Sequence, residues 1–191
     1  VISYVSILVV LFAYHGYDDL KICVFTSSDN VRFWDDVKDC PYFWDDNRTM
    51  RFFGTNSDEI SQISSYLEEL LAQVKEINDS NKNSSDKRIA KLPKKFVIIT
   101  DDIDLVRNVS IVRTVLETTD YLGISLIICT EKLNSLPNEV EHFISVDERS
   151  GCVFEKVLTD SKRINFVPDL MFMSLEKYCY VVSNIPIALN G

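Results

Sequence analysis

The sequence predicts an α/β fold, a mainly parallel sheet covered by helices, and three observations carry that reading. Two apolar runs, Phe96–Thr100 (FVIIT) and Ile124–Thr130 (ISLIICT), are continuous instead of alternating, the texture of strands buried on both faces. Segments with helical periodicity lie between the strand-like runs, which calls for βαβ crossovers. Composition agrees: 46% of the 191 residues are apolar and 26% charged, the balance of a globular chain with a sizeable core. The whole chain reads as one domain, residues 1–191, cut from a longer protein.

Val1–Tyr14 is almost wholly apolar, carries no basic residue, and falls short of the ~20 residues that span a bilayer, so it reads as a buried helix. Lys21–Thr26 (KICVFT) is a short buried strand between polar turns, and Met50–Gly54 (MRFFG) repeats that form. Ser57 is placed to cap a helix whose apolar stripe runs Ile60, Ile63, Leu67, Leu70, Leu71, Val74. Residues 78–91 (NDSNKNSSDKRIAK) form a polar stretch that reads as a flexible internal loop, its lysines and arginine solvated. Asp104–Thr119 gives Leu105, Val109, Val112 and Leu116 in helical rhythm. His142–Val146 and Cys152–Val157 flank a turn and read as a hairpin added to the sheet. A last helix begins at Asp169 and stops before Pro186.

Charge and glycine content restrict function. Twenty Lys+Arg against 29 Asp+Glu leave a formal charge of −9, which disfavours a broad grip on nucleic acid. The five glycines, Gly16, Gly54, Gly123, Gly151 and Gly191, are far apart, so neither GxGxxG nor GxxxxGK[ST] exists in the chain. The five cysteines (Cys23, Cys40, Cys129, Cys152, Cys179) are odd in number and never form CxxC, a pattern of reduced thiols. His15 and His142 have no neighbouring Cys or His, so no metal site is expected.

Of four Asp-Asp pairs, Asp18-Asp19, Asp35-Asp36 and Asp45-Asp46 read as turn residues. Asp101-Asp102 differs, because it closes the strand Phe96–Thr100 at the end where α/β proteins collect ligands. This is the shape of a Walker B segment, in which one acid helps to hold Mg²⁺ and a following acid orients the attacking water. Without a phosphate cradle the acids have little to act on, since Mg²⁺ is normally held partly by substrate phosphates. No catalytic residue and no cofactor are therefore expected. Trp34, Tyr42, Phe43 and Trp44 could form a docking surface or pack a loop against the sheet edge. Trp44 reads as core; Trp34 stays open between the two, because Asp35-Asp36 beside it suggest a surface.

Separated motifs carry a family resemblance. Gly123–Thr130 resembles the strand that follows the Walker B strand in FtsK/SpoIIIE-type translocases, with Glu131, Lys132 and Leu133 replacing that family's Gln, Arg and Pro. Ala13–Ile22 (AYHGYDDLKI), Trp34, Pro41–Asp46, Arg51-Phe52, Leu136-Pro137 and Ser183–Pro186 are similar to the EssC/EccC branch, the membrane ATPases of type VII secretion. Cys40 and Tyr42 depart from that branch's Leu and His. The resemblance implies a RecA/FtsK-like fold and a degenerate ATPase domain between the transmembrane helices and the first motor domain. Asp101 and Asp102 would be vestigial Walker B acids, the second shortened from Glu, and Thr130 would sit at the sensor position. The expected partners are other domains and subunits of a hexameric secretion ATPase, membrane components of the system, and WXG100-type substrates indirectly, with no nucleic acid. The expected location is the cytoplasmic face of the bacterial membrane. The alternative is an active ATP-hydrolysing domain whose P-loop lies upstream of Val1; a DNA translocase is disfavoured by the charge.

Overall fold

Four parallel strands, β1 (Leu20–Phe25), β2 (Phe53–Gly54), β3 (Lys95–Thr100) and β4 (Ile124–Ile128), form a sheet in the order β2-β1-β3-β4. The computed structural model describes residues 2–81, 92–119, 122–147, 150–155 and 163–167. The expected helix from Asp169 and most of the 78–91 loop lie outside the described residues. β1 pairs with β3 along its whole length, from Leu20 opposite Lys95 to Phe25 opposite Thr100.

Alternation along the strands builds two cores. Leu20, Ile22 and Val24 with Val97 and Ile99 face one side, where helix α1 (Ile2–Tyr14) supplies Leu8 and Phe12. Cys23 and Phe25 with Phe96 and Ile98 face the other, covered by helix α2 (Ser57–Asn81) through Ile60, Ile63, Leu67, Leu71 and Val74. Helix α4 (Ser110–Glu117) completes that second face with Ile111 and Val112. Each fully buried large apolar side chain stabilises the fold by about 1.5–3 kcal/mol relative to its exposure, which is why the strands read as unbroken hydrophobic runs.

Several elements differ from the sequence expectation. The predicted single helix over Asp104–Thr119 is two, α3 (Ile103–Val106) and α4, because Val109 takes extended backbone and the N–H of Ile111 is capped by Ser64 Oγ of α2 at 3.2 Å. Asn56, not Ser57, caps α2: its Oδ1 accepts from the N–H groups of Asp58 (3.1 Å) and Glu59 (3.0 Å). α2 also runs on through residues 78–81, where a loop was expected. The hairpin of β5 (His142–Val146) and β6 (Gly151–Glu155) does not extend the parallel sheet. It joins β7 (Ile164–Phe166) in a separate antiparallel sheet, order β5-β6-β7.

The connection from β1 to β2 has no α-helix. Two short 3₁₀ turns, Val31–Trp34 and Pro41–Phe43, fold over the first face. There Tyr42 stacks on Phe12 with ring centroids 4.3 Å apart and donates its hydroxyl to the carbonyl of His15 at 2.6 Å. Both acids of Asp45-Asp46 are structural. Asp45 accepts from the Thr49 and Met50 amides and the Thr49 hydroxyl, closing the 45–50 loop; against the effect of burial, those bonds hold its carboxyl below the usual range.

Asp46 ties that loop to the sheet. It is hydrogen-bonded by Lys94 and lies 3.2 Å from Lys21 Nζ, a side chain sunk at the start of β1. The Lys94 bond first, and Lys21 with it, hold the Asp46 carboxyl below its ordinary value despite burial, while burial lowers the Lys21 ammonium. A depressed carboxylate contributes stability that is present above its unfolded-state pKa and fades as pH falls through the folded-state value. Asp46→Asn is therefore expected to be less stable than the parent chain at pH 7, with the gap closing as pH is lowered from about 4. Urea midpoints measured across that pH range check it.

Candidate functional site at the carboxyl edge of the sheet

Connections leave neighbouring strands β1 and β3 toward opposite faces. The segment after β1 packs on the first face with α1, and α3 and α4 after β3 pack on the second. The crevice between such carboxyl ends is where open α/β sheets bind ligands. Here Thr26 and Asp101 meet across it: the Thr26 hydroxyl donates to Asp101 Oδ2 at 2.8 Å, and the Thr26 N–H donates to the Gly54 carbonyl at 3.0 Å. Thr26 and Thr100 are wholly buried.

The three residues singled out from the sequence are gathered at this edge, but each is occupied by its own surroundings. Asp102 caps α3, its side chain accepting from the N–H groups of Asp104 (3.1 Å) and Leu105 (3.2 Å). Its own N–H donates to Thr100 Oγ1 at 3.2 Å. Thr130 Oγ1 accepts from the Lys132 N–H at 3.1 Å and lies 3.1 Å from Ser135 Oγ, shaping the turn that follows β4. Asp101 is bonded to Thr26 through one oxygen, while Oδ1 is buried without a hydrogen-bond partner. Next to it, burial and then the Asp101 charge push the Cys129 thiol up to about 11, so it is a neutral thiol at pH 7 and a poor nucleophile.

A Mg-nucleotide does not fit these residues. Among the described glycines, Gly54 is held in β2 at this edge, while Gly16 and Gly123 sit before β1 and β4 at the opposite end of the sheet. No glycine loop offers a row of N–H groups to phosphates among the described residues. No group of three His, Cys, Asp or Glu is placed to hold a metal there either. The orphaned Asp101 Oδ1 is a single acceptor, which holds Mg²⁺ only together with phosphates that are themselves gripped elsewhere.

The aromatic candidates lie away from this edge, on the first face. Trp34 is 1% exposed and meets Phe53 edge-on with ring centroids 6.3 Å apart, so it is interior. Trp44 is half-buried against the same core, opposite Arg51 in an isolated antiparallel bridge, with the Arg51 guanidinium 5.8 Å from its ring. Thr26 was not picked out in the sequence. The signal was present: three strands end alike in threonine (KICVFT, FVIIT, SLIICT), at staggered levels, since Thr100 pairs with Phe25 and Ile128.

A four-stranded parallel sheet with helices on both faces and acids at its carboxyl edge defines the α/β fold of the P-loop ATPase type. In fold the chain is similar to a solved fragment of EssC ATPase domains. The chain superposes on an EssC fragment containing ATPases 2 and 3 from Geobacillus thermodenitrificans with a TM-score of 0.60, at 13% identity, over 96% of this chain and 42% of that one. The cytoplasmic domain of EssC matches with a TM-score of 0.49 at 14% identity, over 71% of this chain and 27% of that one. Neither a protein-family model nor a curated protein matches the sequence. Among the described residues no helix is long and apolar enough to cross a membrane.

Proposed function

We propose that the chain is a non-catalytic structural and regulatory module of a type VII secretion motor ATPase, coupling the membrane part to the ATPase domains during protein export. The observation that carries this is how the carboxyl edge is engaged within the fold: Asp102 is spent on a helix cap, Thr130 on its own turn, and one oxygen of Asp101 on Thr26. Likeness in fold to an EssC fragment supports the placement, and the chain spans less than half of that fragment. Asp101, Asp102 and Thr130 are then vestigial positions. The partners on this reading are neighbouring domains and subunits of the motor, a hexamer in full length, with membrane components beside it and WXG100-type substrates contacted indirectly. The module lies at the cytoplasmic face of the membrane and takes no nucleic acid, in keeping with its charge of −9.

One observation favours the alternative of an active ATPase domain completed by an upstream P-loop: the unpartnered Asp101 Oδ1 at the end of β3. Asp101→Asn in the full-length motor separates the two. The module reading expects ATP turnover within about twofold of the parent, whereas an active site that relies on Asp101 to hold Mg²⁺ loses part of the metal's several kcal/mol of transition-state stabilisation, lowering kcat roughly 10²–10³-fold. Export is measured alongside: removing the module with the motor domains intact is expected to abolish it, and undiminished export would end the coupling role.

A further inference from the structure

We draw no further inference here: the strongest candidate, the aliphatic face of the β5-β6-β7 sheet, where the exposed side chains of Ile144, Val153 and Ile164 stand opposite one another across the three strands, carries nothing because nothing in the structure shows what covers it.

Discussion

Trp34→Ala is expected to lower the unfolding free energy by about 3–5 kcal/mol, the range for truncating a buried tryptophan. The indole is 1% exposed and fills the first-face core among Val37, Tyr42, Phe43 and Phe53. Those neighbours come from the 27–52 connection and β2, which stands in for a crossover helix here, so the cavity cannot be closed by sliding one rigid helix. Typical domains are stable by only about 5–15 kcal/mol, which makes the loss a large fraction of the total. With urea m-values of about 1–3 kcal/mol/M, the midpoint falls by more than about 1 M. A tryptophan serving as a docking residue would give the opposite result, an unchanged midpoint with weakened partner binding.

Gly123→Ala is the second large expected loss. Gly123 sits at φ +107°, a conformation that side chains rarely adopt, and an added Cβ would lie 3.0 Å from Leu92 Cβ and 3.3 Å from Leu92 N. The backbone there is committed, because the Leu122 and Gly123 carbonyls accept from Leu92 and Phe96, setting the register of β3 against β4. Strain at a non-glycine residue held in such a region costs of order 1–3 kcal/mol, and overpacking adds typically 1–3 kcal/mol. Gly16→Ala is the control, since the nearest atom to an added Cβ there is at 4.0 Å in ordinary contact. Thermal unfolding of the two variants side by side should show a clear drop for Gly123 and a small change for Gly16.

The parallel sheet was legible because burial on both faces leaves a direct mark. FVIIT and ISLIICT are apolar runs without polar alternation, broken only by Ser125 and their closing threonines, and the α2 stripe from Ile60 to Val74 repeats with the helical period. Tertiary choices left weaker marks. Trp34 stands beside exposed Asp35 and Asp36, and only the tight 3₁₀ turn, which sends one side chain inward and the next two outward, separates their fates. The break between α3 and α4 depends on Ser64, far away in sequence, which caps Ile111. Hairpin strands β5 and β6 look the same in sequence whether they extend a sheet or start another; the partner β7 decides.

At the site, the acids of β3 were legible as a motif, while their use was not. Asp102 followed by Ile103-Asp104-Leu105 reads equally as a Walker B acid or a helix cap. The bonds to the Asp104 and Leu105 amides decide for the cap. Thr26 is far from Asp101 in sequence and meets it solely through the pairing of β1 with β3.

Calorimetric titration of the 191-residue chain with Mg-ATP asks whether the carboxyl edge grips a triphosphate. A flat titration is the predicted result. Micromolar binding that Asp101→Asn abolishes would contradict it.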